Sequence, residues 1–244
     1  MRLDLGEAVA TVTLCRPERL NAQTPATWLA LRDIGRSLGG DVRVVVVRGE
    51  GRGFSAGLDR SVITPEGLLD LGRSPPEQAE AMIAAYQEGF GWLRRTDLIS
   101  VAVVQGHAIG AGFQLALACD LRVLADDAQL CMAETSLGLV PDLGGTKPLV
   151  DAVGYARALE ICVTGRRVGA AEAERLGLAT LVVPRDQLSA ATDDLVAALL
   201  AAPRDATIET KALLRAAVGS TQADQEPAER AAQVRLLRGL AGLE

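Results

Sequence analysis

The sequence is poor in the residues that most often build metal, redox and aromatic sites. One histidine stands among 244 residues, and aromatic side chains make up 3% of the chain. A single histidine excludes a His-rich metal site. The four cysteines, at positions 15, 119, 131 and 162, form no Cys-X-X-Cys pair. Zinc and redox motifs are therefore unsupported, and we expect free core thiols, no bound metal and no bound cofactor.

Long apolar runs and an excess of positive charge are absent as well. No apolar run approaches the roughly 20 residues that a membrane span needs. The first residues lack the basic start and apolar core of a secretion signal. The formal net charge of −6 argues against a surface for nucleic acid or anionic membranes. We therefore expect a cytoplasmic protein that binds neither nucleic acid nor membrane.

What the chain does contain is an alternation of apolar strands and periodic helices. Apolar residues make up 49% of the sequence, which suits one substantial core. Runs of β-branched residues predict strands at 8–14, 42–47 and 101–104, and helical spacing predicts helices at 24–38 and 80–95. Thr24 could cap the first of these helices, and Pro25 suits its first helical position. This order argues for an α/β fold.

The least periodic part of the chain spans residues 60–78, which we predict to be a loop with short helical pieces. From residue 188 the sequence is rich in Ala, Leu and Arg and is predicted to be helical, with breaks near Pro203 and Gly219. The organisation predicted is a core of residues 1–187 and a helical region of residues 188–244.

Two glycine-rich turns carry the chemical signal. Residues 49–59 read GEGRGFSAGLD and residues 105–114 read QGHAIGAGFQ, and each turn follows a predicted buried strand. Glycine lets the backbone approach a ligand closely and turn its N–H groups inward. Two such turns can aim two amide donors at one oxygen, which is the arrangement of an oxyanion hole. The pattern indicates chemistry on a carbonyl or a thioester.

These turns resemble two signatures of the crotonase (enoyl-CoA hydratase/isomerase) superfamily, and further segments resemble that family in the same order. The resemblance covers roughly residues 10–185. The further segments are RPERLNA at 16–22, ACD at 118–120, AE at 133–134, GLVPDLGGT at 138–146, TGRR at 164–167 and AERLGL at 173–178.

The resemblance implies a crotonase-like spiral of repeated ββα units with a helical C-terminal region used for trimerisation. It further implies a homotrimer or a hexamer, and an acyl-CoA substrate that brings coenzyme A with it. The oxyanion donors would be the backbone N–H groups of Leu58 and Ala111.

Contacts to the coenzyme A part follow from the same resemblance. Arg16, Arg19 and Leu20 would flank the pantetheine and phosphates, although both arginines could equally be solvated surface residues. The backbone around Ala56, Gly57 and Leu58 would contact the ligand, with the adenine near Ala56. The acyl pocket is expected among residues 60–90.

The candidate acids depart from the pattern of family hydratases, which use two glutamates. The second glutamate is present as Glu134, but Gln114 stands at the place of the first. Gln114 can orient a water or a polar group but cannot act as an acid or a base. Asp142, eight residues after Glu134, is similar in spacing to the acid pair of the dienoyl-CoA isomerase branch, and it could instead cap a helix near Gly145.

Double-bond isomerisation of an enoyl- or dienoyl-CoA is the leading hypothesis. In it Glu134 removes a proton from C2 of a thioester, and Glu134 or Asp142 returns a proton further along the chain. Hydration of a 2-enoyl-CoA and non-catalytic binding of acyl-CoA are the alternatives.

Two other motifs compete with the family pattern. GFSAG at residues 53–57 matches the serine elbow of α/β-hydrolases, but Ser55 stands eight residues after its strand and the only histidine, His107, does not come late in the chain. The glycines of the first turn lack the spacing of a dinucleotide-binding loop. A serine hydrolase and a nicotinamide enzyme are therefore disfavoured.

Overall fold

The computed structural model describes residues 1–243, which form two β-sheets surrounded by helices. The strands are β1 (Arg2–Leu5), β2 (Val9–Leu14), β3 (Val44–Gly49), β4 (Ile99–Val104), β5 (His107–Ile109), β6 (Leu121–Ala125), β7 (Gln129–Cys131), β8 (Val168–Gly169) and β9 (Leu181–Val183). The helices are α1 (Pro25–Ser37), α2 (Pro76–Gly91), α3 (Ala111–Ala118), α4 (Thr146–Val153), α5 (Tyr155–Thr164), α6 (Ala170–Arg175), α7 (Leu188–Ala201), α8 (Arg204–Ala217) and α9 (Gln222–Leu240).

The larger sheet has the strand order β1-β2-β3-β4-β6-β9. Strand β1 pairs antiparallel with β2, and every later neighbour pair in this sheet is parallel. In β3 and β4 nearly every residue is buried, because both faces of the sheet are covered. This is why these strands are continuous apolar runs rather than alternating patterns.

The smaller sheet has the order β5-β7-β8 and gives the fold its repeating unit. The chain runs through β4 in the larger sheet, β5 in the smaller sheet and then α3, and it repeats this path through β6, β7 and α4. Ser55 extends the pattern to an earlier turn of the chain, because it forms a β-bridge with Ala108 of β5. The architecture is thus α/β, with successive ββα units.

Helix α1 shows how local sequence sets the boundaries of an element. Thr24 is its N-cap, with a capping box to Thr27, and Pro25 occupies the first helical position as predicted. Trp28 and Leu31 are buried on its inner face. The helix packs against α2, where Tyr86 meets Trp28 edge-to-face with ring centroids 5.1 Å apart.

Helix α7 closes the second face of the larger sheet. Leu188 packs into a core cluster with Val44 and Val101, and Leu195 and Leu199 lie against the same cluster. The helical nature of the chain after residue 188 is confirmed, as are the breaks at Pro203 and Gly219. The division into two regions at residue 188, and the trimerisation role of the second, stay predictions.

Several elements differ from the sequence-based expectations. Strand β1 was not predicted because only Leu3 of its side chains is even partly buried, so its alternation is weak. Strand β5 lies inside the second glycine turn, where the glycines mask a strand of three residues. The predicted loop at residues 60–78 contains two short 3-10 helices, Arg60–Val62 and Leu68–Asp70.

None of the helices within residues 1–243 combines the length and the apolar content that crossing a bilayer requires. The cysteines in this part of the chain are all free; Cys119 and Cys131 are buried as expected, whereas Cys15 and Cys162 are half-buried.

Candidate active site

The two glycine turns predicted from the sequence meet side by side in the structure. The Ser55 N–H donates to the His107 carbonyl at 2.8 Å, and the Ile109 N–H donates to the Ser55 carbonyl at 3.0 Å. A parallel bridge therefore joins the first glycine turn, which contains Leu58, to the second, which contains Ala111. The juxtaposition depends on tertiary pairing, because the two turns are about fifty residues apart in the chain.

Gly57 lies at the closest approach of the two turns. Its φ of +82° is left-handed, and a Cβ built there would lie 2.3 Å from the Ile109 carbonyl oxygen and 3.4 Å from the Ala111 nitrogen. Only glycine fits this position without moving backbone atoms. This close approach places the backbone of Gly57, the neighbour of Leu58, against Ala111, the first residue of α3.

The N–H groups of Leu58 and Ala111 remain available to a ligand. Within the part of the chain that the structure describes, neither N–H donates a hydrogen bond to another group. Ala111 is the first residue of α3, where N–H groups have no partner inside the helix and the helix dipole favours negative charge. The geometry is that of two free donors on adjacent turns, as an oxyanion site requires.

Two buried amide side chains hold these turns, and sequence analysis did not identify either. Asn21 donates from Nδ2 to the carbonyls of Glu50 and Gly53, both at 2.9 Å. Gln105 donates from Nε2 to the carbonyl of Gly49 at 2.8 Å. The positive φ of Asn21, 54°, is the local signal of its role, because asparagine tolerates that conformation better than most residues.

Ser55 is fully buried and is part of this supporting network. Its Oγ donates to the Asn21 carbonyl at 2.8 Å and accepts from Gln23 Nε2 at 3.0 Å and from the Gly57 N–H at 3.2 Å. A hydroxyl with all its hydrogen-bonding capacity used, and without access to solvent, cannot serve as a nucleophile. The burial and hydrogen bonding of Ser55 therefore argue against the serine hydrolase hypothesis.

Glu134 lies beside the second glycine turn, at the start of a 3-10 helix that follows β7. The residue is 8% exposed, and a Cβ at Gly110 would lie 3.2 Å from its Oε1. Oε1 accepts a 2.6 Å hydrogen bond from Gln114 Nε2. Among the described residues no group bonds to Oε2, which is buried. One oxygen of the carboxylate is thus fixed and the other is free.

Burial raises the pKa of the Glu134 carboxyl above its ordinary value, since a desolvated carboxylate is destabilised. The backbone of Glu134, the hydrogen bond from Gln114 and the backbone of Ala133 lower this pKa, and the negative charge of Asp142 raises it further. A carboxylate with a raised pKa is a stronger base than one in water, which suits it to removing a proton from carbon.

Gln114 connects three parts of the site. Its Nε2 holds Glu134, and its Oε1 accepts from the N–H groups of Leu143 at 2.9 Å and Gly145 at 3.2 Å. Because both carbonyl lone pairs are used, the amide orientation is set by the backbone and Nε2 must face Glu134. The sequence indicated that Gln114 orients a polar group; that group is the carboxylate itself.

Asp142 is not a helix cap, so that alternative is wrong. Helix α4 begins at Thr146 with Gly145 at the N-cap, and no side chain caps it. The Asp142 carbonyl accepts from Gln87 Nε2 at 2.7 Å, which ties its loop to α2. Burial raises the pKa of the Asp142 carboxyl, and its charge acts on Glu134. Asp142 also adjoins Leu143, whose N–H donates to the Gln114 amide that holds Glu134.

The predicted coenzyme A contacts cluster at one edge of the first turn. The Ala56 N–H donates to the Leu20 carbonyl at 2.8 Å, and Leu20 has a positive φ of 51°. Arg16 is bound to Asp59 at 3.0 Å, and Arg19 is exposed. Asp59 also accepts from the Ser61 N–H at 3.2 Å, so its carboxylate is held by local hydrogen bonds. To bind a phosphate, Arg16 must either break its ion pair with Asp59 or bind both groups at once.

The remaining candidates lie outside this cluster. His107 is half-buried, and its Nδ1 lies 3.4 Å from Arg167 Nη1. Asp120 pairs with Lys211. In residues 1–243 no group of three His, Cys, Asp or Glu side chains is placed to hold a metal ion.

Comparison with known proteins gives a consistent family. The family model described as enoyl-CoA hydratase/isomerase matches residues 4–239. A Mycobacterium leprae protein named "Probable enoyl-CoA hydratase echA8" is 31% identical over 91% of this chain and 83% of its own length. The Mycobacterium tuberculosis protein of the same name is 34% identical over 76% of this chain and 69% of its own.

Solved structures resemble the chain along its whole length. A Thermobifida fusca YX protein assigned as an enoyl-CoA hydratase, crystallised with CoA, is 51% identical with a TM-score of 0.94, covering 99% of this chain and 94% of its own. A second structure from that organism, in complex with acetoacetyl-CoA, is 48% identical with a TM-score of 0.93, covering 97% of this chain and 94% of its own. An enoyl-CoA hydratase from Polaromonas sp. JS666 is 30% identical with a TM-score of 0.85, covering 99% and 93%.

Proposed function

Because the chain belongs to the enoyl-CoA hydratase/isomerase family, we propose that it isomerises an enoyl-CoA through a thioester enolate. The fold is that of its crotonase-type relatives, and the family processes acyl-CoA. The observation that carries the choice of isomerisation is the state of the carboxylate. Glu134 has one free, buried oxygen, and its neighbour Gln114 is an amide that neither gives nor takes a proton.

The proposed reaction needs one base and one oxyanion site. Glu134 Oε2 takes a proton from C2 of a 3-enoyl thioester, and the electron pair moves into the dienolate. The N–H groups of Leu58 and Ala111 stabilise the thioester oxygen as it gains negative charge. The protonated Glu134 then returns the proton to C4, which completes a 2-enoyl thioester. Atoms and charges balance without a second acid. For a longer dienoyl chain a protonated Asp142 donates its proton to the distal carbon, and the proton held by Glu134 returns to Asp142 through solvent before the next turnover.

Hydration of a 2-enoyl-CoA is the second candidate, supported by a separate observation. Asp142 is close enough to raise the pKa of Glu134, so two carboxyl groups with raised pKa values face one site. Water addition needs a group to activate the water and a group to protonate C2. The relatives named above carry hydratase names, which supports this candidate as well.

Substrate binding is proposed from the relatives. The Thermobifida fusca structures hold CoA and acetoacetyl-CoA, and their similarity to this chain supports an acyl-CoA ligand here. We place the pantetheine and phosphates beside Arg16, Arg19 and Leu20, with the ligand against the backbone of Ala56, Gly57 and Leu58. No metal or redox cofactor enters the proposed reaction, because proton transfer and oxyanion stabilisation suffice.

Assembly and location also remain proposals. We expect a homotrimer or a hexamer in the cytoplasm. Large apolar side chains exposed on α5 and α9, among them Tyr155, Val163 and Leu240, are groups that such an assembly would bury. Sedimentation velocity of the purified chain tests the assembly, and a monomer at micromolar concentration would contradict it.

The product formed from a 3-enoyl-CoA in deuterated water tests the function. NMR of the incubated thioester should show a conjugated 2-enoyl product without added water. A 3-hydroxyacyl product from a 2-enoyl-CoA, with the 3-enoyl-CoA left unchanged, would favour hydration and place Asp142 at the centre of the mechanism. Tight binding of acetoacetyl-CoA without turnover of either enoyl-CoA would instead leave a non-catalytic acyl-CoA-binding protein.

A further inference from the structure

A buried ammonium group lies at the far end of α3 from the proposed site. Lys211 of α8 is 9% exposed, and its Nζ donates three hydrogen bonds of 2.6 Å. The acceptors are the carbonyls of Arg95 and Leu98 and the carboxylate of Asp120. All three N–H donors of the ammonium are thus used, and they join α8 to the segment before β4 and to the residue that follows α3.

The choice of lysine at this position is itself informative. The chain has two lysines, Lys147 and Lys211, and 23 arginines. Three oxygens converge on one point 2.6 Å away, which fits a compact ammonium with three donors. A planar guanidinium would spread its donors over a wider fork and would not fit the same point.

Asp120 connects Lys211 to β4 and to the end of α3. Its Oδ2 also accepts from the Ser100 N–H at 2.8 Å and from Ser100 Oγ at 3.1 Å. It stands two residues after Ala118, the last residue of α3. Lys211 therefore neutralises and fixes a carboxylate that lies directly beyond the end of the helix.

The carbonyls at the end of α3 are held by cations as well. Arg94 Nη2 donates to the Leu117 carbonyl at 2.6 Å, and Arg122 Nη1 donates to the Cys119 carbonyl at 2.8 Å. Positive charge at a helix C-terminus is favourable and satisfies carbonyls that have no partner in the helix. The C-terminal end of α3 is thus fixed from several sides.

Helix α3 carries that fixation to the proposed oxyanion site. The helix has eight residues, each of them buried, and is about 12 Å long at 1.5 Å per residue. A Cβ at Gly112 would lie 2.7 Å from the Ser55 carbonyl, so sideways movement is blocked. The hydrogen bonds at the C-terminal end of α3 can fix the position of the helix along its own axis. Ala111 is the residue at the opposite end of the helix.

We propose that Lys211 is a positioning residue for the oxyanion site, acting through Asp120 and α3 on the Ala111 N–H; this rests on the proposed function. The C-terminal helices are then coupled to catalysis although they contribute no group to the reaction. A purely structural role is the competing explanation, since buried ion pairs are retained in many proteins without a part in activity.

Lys211→Met tests the proposal, with Lys147→Met as the matched control. Lys147 is on α4 with a 71% exposed side chain and is the other lysine of the chain. The readouts are kcat and KM for the substrate identified above, and the ultraviolet absorbance of the enolate formed when acetoacetyl-CoA binds. Because small misplacements of catalytic groups are costly, Lys211→Met should lower kcat about tenfold and decrease the enolate absorbance, with KM within about twofold. Lys147→Met should change neither.

A Lys211→Met protein that unfolds more easily, yet keeps wild-type kcat and enolate absorbance, would overturn the proposal. Should this variant not fold, Asp120→Asn takes its place, because it retains the size of the side chain and removes its charge. The same loss of kcat and of enolate absorbance is expected from Asp120→Asn, and wild-type values would count against the proposal.

Hydrogen exchange measured without ligand distinguishes failure of the proposed function from failure of the positioning role. Amides at residues 111–114 of Lys211→Met should exchange faster relative to those of β3 than they do in Lys147→Met. If the wild-type chain neither enolises acetoacetyl-CoA nor turns over an enoyl-CoA, the proposed function fails. Unchanged relative exchange at residues 111–114 would sink the positioning role whatever the activity.

Discussion

Gln114 Nε2 donates a 2.6 Å hydrogen bond to Glu134 Oε1, and this bond defines the proposed catalytic base. Two backbone N–H groups, of Leu143 and Gly145, fix the amide from its other side. The bond fixes one carboxylate oxygen and leaves the buried Oε2 for the substrate. A residue that stands where family hydratases have an acid is thus used here to aim the remaining acid.

Glu134→Gln should abolish turnover and spare binding. The variant keeps the size of the side chain but cannot take a proton, and positioned general bases contribute about 10²- to 10⁴-fold. We expect kcat to fall by at least about 10²-fold while the Kd of acetoacetyl-CoA, measured by titration calorimetry, changes little. Wild-type turnover by Glu134→Gln would show that another residue is the base.

The pH dependence of activity should move in opposite directions in two variants. Glu134 must be deprotonated to act, so kcat/KM should rise with pH through its raised pKa, above the ordinary value of 4.5. Asp142→Asn removes a charge that raises this pKa and should move the acid limb to lower pH. Gln114→Met removes a hydrogen bond that lowers it and should move the limb to higher pH. Shifts of the same sign in both variants would contradict this assignment.

The same raised pKa values predict how stability depends on pH. Between the unfolded and folded pKa values of Glu134 and Asp142, the folded chain binds more protons than the unfolded chain. The contribution of these two groups to the free energy of unfolding is therefore full below the unfolded values and is lost as pH rises through the folded ones. Urea unfolding from pH 4 upward, with Glu134→Gln as reference, measures it; an equal slope in both proteins would refute the prediction.

Gly57→Ala should disrupt the approach of the two glycine turns. Its Cβ would lie 2.3 Å from the Ile109 carbonyl, so backbone must move between Leu58 and Ala111. We expect a large loss of kcat, of about 10²-fold, because both proposed donors are displaced. Gly177→Ala is the control, since Gly177 has a similar φ of +75° but its Cβ would be 3.7 Å from the nearest atom. Equal kcat in the two variants would contradict the role of the close approach.

Ser55→Ala should weaken the fold without removing a catalytic group. The lost hydroxyl leaves the buried Gln23 amide and Gly57 N–H without an acceptor, which costs about 1–3 kcal/mol of unfolding free energy. Chemical denaturation measures that cost, and residual turnover by the folded variant checks the mechanism. Labelling of the wild-type Ser55 by a fluorophosphonate would revive the hydrolase hypothesis.

Local signals were sufficient for much of the fold. Thr24 and Pro25 predicted the start of α1, and the apolar runs at 42–47 and 101–104 predicted buried strands, because caps and periodicity are properties of neighbouring residues. Strand β1 was missed since its burial pattern is weak. The bonds of Asn21, Gln105 and Lys211 could not be predicted, because their partners are between 29 and 116 residues away.

The sequence by itself determined the family, the two glycine turns and the acids Glu134 and Asp142, since motifs in a fixed order are local and additive evidence. The tertiary structure alone decided how these parts are used. It paired the turns through Ser55, bound Gln114 to Glu134 and excluded Asp142 as a helix cap. Such contacts depend on which backbone atoms the sheet and helices bring within about 3 Å of a side chain, and spacing along the chain does not encode that distance.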